Sequence, residues 1–187
     1  MKPLTVKQIP NFLSLLRLLL AVPIFILILR EDYWSVLWVI FIAGVSDGID
    51  GWLARKLDAV SYFGALMDPL CDKVLLLSAY LALALVDLLP LWVVLFMALR
   101  DVIIVAGAVV YYWQFGRYEM QPTLLGKMTT VMQIAFALLL LMQQIYPLFP
   151  PLIVNIGLLG VILMIFFSGG HYIYIWTKKA QQAKQQK

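Results

Sequence analysis

The amino-acid sequence predicts an all-α integral membrane protein of six transmembrane helices, with both termini cytoplasmic. Three observations predict it. Of 187 residues, 64% are hydrophobic and 13% charged, at a mean hydropathy of +0.94, whereas a soluble domain carries roughly 25% charged residues. From Met128 to Gly170 no Lys, Arg, Asp or Glu occurs, and one span needs only about 20 apolar residues. The basic residues also gather at alternate helix ends, as the positive-inside rule requires.

The elements follow in order. Pro10 and Asn11 open a first span over 9–29, where Asn11 is placed to cap the helix. Spans over 34–57 and 63–86 are joined by a short link, and a fourth covers 89–115. The long uncharged run is divided at Tyr146-Pro147-Leu148-Phe149-Pro150-Pro151, because prolines so close together suit a turn and not a helix interior. That leaves spans over 124–146 and 152–176. The inner side then takes Lys2, Lys7, Arg55, Lys56, Arg117, Lys178, Lys179, Lys184 and Lys187. The outer loops hold only Arg30 among Glu31, Asp32 and Asp87. The resulting organisation is a single membrane domain over 1–178 and a polar cytoplasmic tail over 179–187, expected to fray from the last helix. Trp34, Trp38 and Trp176 fit interfacial belts.

The net charge of +4 follows from this topology and not from nucleic-acid binding, since the bases lie at helix ends on one face. The opening apolar stretch is interrupted by Arg17 and lacks a small-residue cleavage pattern, so no cleavable signal is expected. One cysteine excludes an internal disulfide. Gly44, Gly48 and Gly51 share a stripe on the second span, where a neighbouring helix could approach closely.

The acidic residues carry the chemistry. Only ten exist, and Asp47, Asp50, Asp68 and Asp72 fall on the second and third spans. An ionisable group in a membrane helix costs about 2.5–3.5 kcal/mol on insertion scales, so four together need compensation. Their spacings of three and four put each pair on one helix face. Oxygen ligands of this kind suit Mg²⁺ or Mn²⁺, whereas zinc favours Cys and His. Four carboxylates can hold two such ions, the arrangement that clamps attacking and leaving oxygens in phosphoryl chemistry. The plainer alternative is pairing with Arg55, Lys73, Arg100 and Lys127.

Read whole, Asp47-Gly-Ile-Asp50-Gly51-Trp-Leu-Ala54-Arg55, eight residues, then Gly64-Ala-Leu-Met-Asp68-Pro-Leu-Cys-Asp72 resembles the signature of the CDP-alcohol phosphotransferases. Every fixed position is filled, which makes it far more specific than a short glycine pattern. The resemblance implies six membrane helices, usually as a homodimer, with a site open to the cytoplasm. It implies that Asp47, Asp50, Asp68 and Asp72 bind two divalent ions, Mg²⁺ or Mn²⁺, and that Asp72 also acts as base. Gly51, Ala54 and Gly64 would line the cytidine nucleotide, and Arg55 would bind its diphosphate. Pro10-Asn11-Phe-Leu-Ser14-Leu-Leu-Arg17 is similar to the opening common in these enzymes, which adds Asn11, Ser14 and Arg17 to the nucleotide contacts. Capping by Asn11 and Ser14, and snorkelling by Arg17, is the competing account.

The acceptor alcohol rests on finer resemblance. Leu99-Arg100-Asp101-Val-Ile-Ile-Val and Gly116-Arg117-Tyr-Glu-Met-Gln-Pro122-Thr123-Leu-Leu-Gly126-Lys127 are similar to the eukaryotic-type cardiolipin synthases. Arg100 and Lys127 would then meet an anionic acceptor. This implies transfer of a phosphatidyl group from CDP-diacylglycerol to phosphatidylglycerol, at a bacterial cytoplasmic membrane. Glycerol 3-phosphate as acceptor is the alternative, and a cation transporter or an intramembrane prenyltransferase the more distant ones. Cys71, at an unfixed motif position, and His171 are assigned to packing.

Overall fold

The computed structural model describes residues 19–56, 62–115 and 123–185; the side chains of 46–56, 62–71, 108, 111, 112, 114, 115, 176 and 179–185 lie outside that description. All regular structure among the described residues is helical: α1 over Leu19–Leu29, α2 over Tyr33–Lys56, α3 over Tyr62–Leu85, α4 over Leu91–Phe115, α5 over Leu124–Ile145 and α6 over Pro151–Gln185. Two are long and apolar enough to cross a membrane, Leu124–Ile145 and Pro151–Ile175, with shorter apolar helices at Leu19–Leu29 and Tyr33–Val45. The chain divides into two compact units, Met1–Pro90 and Leu91–Lys187.

In the first unit, α1 buries Ala21, Ile24 and Ile28, a stripe at helical spacing. Among the described side chains of α3, Ala79, Tyr80, Ala82, Leu83 and Ala84 are buried. α1 and α3 end the same way. Past α1, the amides of Glu31 and Asp32 donate to the carbonyls of Ile28 and Leu27; past α3, those of Asp87 and Leu88 donate to Ala84 and Leu83. Each pair wraps the last turn around a left-handed residue, Glu31 at φ 58° and Asp87 at φ 57°. Asp32 then caps α2, its carboxylate accepting from the Ser35 amide at 3.2 Å. Hydrogen bonds from Ser35 hold the Asp32 carboxyl below its ordinary pKa.

In the second unit, α6 packs against both α4 and α5. The buried stripes are Val93, Val94, Met97 and Arg100 on α4, Gly126, Thr129, Gln133, Phe136, Ala137 and Leu140 on α5, and Val161, Ile165 and Ser168 on α6. Small residues let α5 and α6 approach. A Cβ at Gly157 would lie 2.8 Å from the Phe136 ring, and one at Gly160 2.5 Å from the end of Met132. Thr129, fully buried, donates its hydroxyl to Leu125 O at 2.8 Å and reaches Met164 O on α6 at 3.3 Å. The proline-rich connection is held by one side chain: Gln143 Nε2 donates to Phe149 O at 2.9 Å, and Phe149 N donates to Gln143 Oε1 at 3.1 Å.

Two expectations change. α6 does not fray at Lys178 but stays helical to Gln185, 35 residues in all, because Ala, Gln and Lys are good helix formers whatever their polarity. Gly44 has no described atom within 4 Å of a Cβ built on it, so it marks no close helix contact among the described residues. Gly48 and Gly51 are on the described backbone of α2, but contacts at them lie outside the description. Replacing Gly157 by Ala drives a methyl into the Phe136 ring; a loss of about 1–3 kcal/mol is expected, read as a lower thermal midpoint in detergent.

Candidate functional site

The acidic motif falls on two continuous helices. Asp47 and Asp50 lie within α2, which runs to Lys56, and Asp68 and Asp72 within α3, which starts at Tyr62. Asp50 is six residues before the end of α2 and Asp68 six after the start of α3, so each lies about 9 Å along its helix from the link over 57–61. Helical backbone through both pairs puts Asp47 with Asp50, and Asp68 with Asp72, on one face each. Pro69 sits in the interior of α3, where its missing N–H removes one helical hydrogen bond beside the aspartates.

Asp72 is the one member of the motif whose side chain is described, and it is exposed. The side chains of Asp47, Asp50, Gly51, Ala54, Arg55, Gly64, Asp68 and Cys71 lie outside the described residues, as do Asn11, Ser14 and Arg17 altogether. Carboxylate oxygen, the donor type the motif offers, is the type a hard divalent cation takes; among the described residues no group of three or more His, Cys, Asp or Glu side chains comes together.

A second polar cluster is built within residues 91–187. Arg100 ends the buried stripe of α4 and is only 5% exposed. Its Nη1 donates to Asp101 Oδ1 at 2.7 Å and its Nη2 to Ser168 Oγ at 2.6 Å. Neighbouring residues on a helix point about 100° apart, yet the long guanidinium arm turns back to its neighbour and closes the ion pair. The Tyr172 ring lies beneath, its centroid 5.9 Å from Cζ, within cation–π range. Arg100 Nε and His171 Nδ1 are buried with no protein partner among the described residues.

Tyr172 also reaches α5. Its hydroxyl accepts from the Thr123 amide at 3.3 Å, and Thr123 caps α5 by accepting from Gly126 N at 3.1 Å. A Cβ at Gly126 would stand 2.9 Å from that hydroxyl, so glycine leaves the room Tyr172 occupies. Lys127 follows, exposed, with its amide donating to Thr123 O at 3.1 Å. The structure thus places Arg100 on a buried face and Lys127 one turn past the α5 cap.

Residues 7–169 match the family described as CDP-alcohol phosphatidyltransferase, a match that contains the whole acidic motif. The chain belongs to that family. It is 34% identical over 146 residues to a Drosophila melanogaster protein named "Probable cardiolipin synthase (CMP-forming)", covering 70% of this chain and 45% of the fly protein. It is 38% identical over 145 residues to the cardiolipin synthase (CMP-forming) of Streptomyces coelicolor, covering 73% and 66%. It is 31% identical over 153 residues to the chloroplastic CDP-diacylglycerol–glycerol-3-phosphate 3-phosphatidyltransferase 1 of rice, covering 73% and 46%. The chain therefore spans about half to two thirds of the length of these relatives.

Membership makes this phosphatidyltransferase an enzyme and removes the transporter and prenyltransferase readings. Ser168 and Tyr172 were not legible as members of a polar cluster. The available signal is their place on the stripe Val161, Ile165, Ser168, Tyr172, which carries an apolar face onward into polar residues. In this phosphatidyltransferase, Thr123→Ala removes the α5 cap and should cost about 1 kcal/mol, measured as a drop in thermal midpoint.

Proposed function

We propose that this phosphatidyltransferase moves the phosphatidyl group of CDP-diacylglycerol onto a hydroxyl of phosphatidylglycerol, forming cardiolipin and CMP. The observation that carries the reading is the complete acidic motif on α2 and α3 with both aspartate pairs in helical register. The acceptor rests on the cardiolipin-synthase names of the fly and Streptomyces relatives and on the Arg100-Asp101 and Gly126-Lys127 segments. Glycerol 3-phosphate remains the second reading, favoured by the name of the rice relative.

Asp47, Asp50, Asp68 and Asp72 would hold two divalent ions, Mg²⁺ or Mn²⁺, which supply neutralisation of the diphosphate charge. Arg55 binds the diphosphate as a planar donor fork. Gly51, Ala54 and Gly64 leave room for the cytidine, assisted by Asn11, Ser14 and Arg17. Asp72 takes the proton of the acceptor hydroxyl. The freed oxygen attacks the phosphatidyl phosphorus, a new P–O bond forms, the bond to the CMP oxygen breaks, and CMP departs with the electron pair. Arg100 and Lys127 contact the anionic part of the acceptor.

The same proposal makes 1–178 one membrane domain of six spans, homodimeric, in a bacterial cytoplasmic membrane, with 179–187 and both termini on the cytoplasmic side. The membrane placement and orientation are supported by the one-sided distribution of Lys and Arg and by the many large apolar side chains exposed along the helices, such as Trp38, Phe41, Leu95, Phe167 and Leu163. Those faces meet lipid at no cost.

Purified protein given CDP-diacylglycerol, Mg²⁺ and phosphatidylglycerol is expected to release CMP and form cardiolipin. Release with glycerol 3-phosphate alone would transfer the assignment to the second reading, and silence with every acceptor would end both. Chelation with EDTA should stop turnover and added Mg²⁺ or Mn²⁺ restore it. Asp72→Asn should lower turnover about 10²–10⁴-fold, the range of a lost general base, while CDP-diacylglycerol still binds; parental activity in that variant removes Asp72 from the role.

A further inference from the structure

Arg100 cannot hold its own position. Its side chain is long and carries several rotatable bonds, and Asp101 stands on the same turn of the same helix. The ion pair with Asp101 joins the guanidinium to its own helix. The contact that reaches across helices is Nη2 to Ser168 Oγ at 2.6 Å. The surface that limits its swing is the Tyr172 ring, centred 5.9 Å from Cζ. Ser168 and Tyr172 are four residues apart on α6 and therefore present to one side.

Tyr172 adds a second tie. Its hydroxyl accepts from the Thr123 amide at 3.3 Å and occupies the space that any side chain at Gly126 would fill. Thr123 is the cap from which α5 starts, and Lys127 is linked to it through the first helical hydrogen bond at 3.1 Å. One face of α6 thus sets both the head group of Arg100 and the starting point of the helix that carries Lys127.

We propose that Ser168 and Tyr172 are positioning residues for acceptor recognition: they hold Arg100 and the start of α5, which carries Lys127, in fixed register before an anionic phosphate-bearing acceptor binds. This rests on the reading of Arg100 and Lys127 as acceptor contacts. Groups ordered before binding spend less of the binding free energy on ordering. Their loss therefore falls on acceptor affinity and leaves the donor nucleotide untouched.

The experiment uses full-length enzyme reconstituted in lipid, with phosphatidylglycerol varied at saturating CDP-diacylglycerol and the reverse. Ser168→Ala and Tyr172→Phe are each expected to raise the KM for phosphatidylglycerol about fivefold to tenfold, the size of effect of one lost hydrogen bond of ordinary strength. The KM for CDP-diacylglycerol should stay within about twofold, a difference too small to signal such a loss. Ser168→Thr keeps the hydroxyl and should restore the parental value. Equal movement of both KM values, a fall in kcat alone, or failure of Ser168→Thr to rescue overturns the proposal. Arg100→Ala separates the two layers. If it raises the acceptor KM while Ser168→Ala and Tyr172→Phe do not, the positioning role falls and the acceptor reading stands. If it leaves that KM unchanged, the acceptor reading falls and the positioning role with it. Elution as a single species from size exclusion controls for folding, and should Tyr172→Phe fail it, the Ser168 pair decides.

Discussion

The cost of placing charge inside an apolar helical protein governs this molecule. With 64% hydrophobic and 13% charged residues, every ionic group on a buried or lipid-facing position needs a partner that can neutralise it. Arg100 shows one solution, complete but for its Nε, which has no partner among the described residues. At 5% exposure it is paired to Asp101, hydrogen-bonded to Ser168 and seated on Tyr172. Each partner serves a different need: Asp101 balances the charge, Ser168 satisfies a donor, and the ring replaces water above the guanidinium plane. For the aspartates of the α2 and α3 motif, divalent cations are the proposed partners.

Packing in the second unit follows from the same economy. Lipid offers no hydrophobic drive to bring apolar helices together, so close approach and hydrogen bonds between helices must supply it. Gly157 and Gly160 admit Phe136 and Met132, and Thr129 reaches the Met164 carbonyl on α6. Gln143 closes the connection between α5 and α6 by satisfying both backbone groups of Phe149, where prolines remove donors that a helix would have used. The long α6 then gives one surface on which α4 and α5 both rest, and the polar cluster lies along it.

Helix positions were legible because uncharged runs and prolines are local features. The expected spans at 34–57, 63–86, 89–115 and 124–146 coincide within one or two residues with α2 to α5. The end of α6 was not legible. Its apolar pattern stops near Trp176, but Ala, Gln and Lys continue the helix to Gln185 on propensity alone. The left-handed residues Glu31 and Asp87 that end α1 and α3 also gave no signal, since neither position carries the glycine that usually marks such a stop.

The amino-acid sequence by itself determined the family, the bounds of α2 to α5 and the acidic motif, because a motif of fixed spacing on helical backbone is complete within a few turns of chain. Tertiary structure alone decided how Arg100 is housed. Ser168 stands 68 residues away, and nothing in local spacing says that a serine and a tyrosine on α6 will meet an arginine on α4. That meeting depends on how α6 packs against α4 and α5, and the depth of that contact is set by side-chain volume across the whole interface.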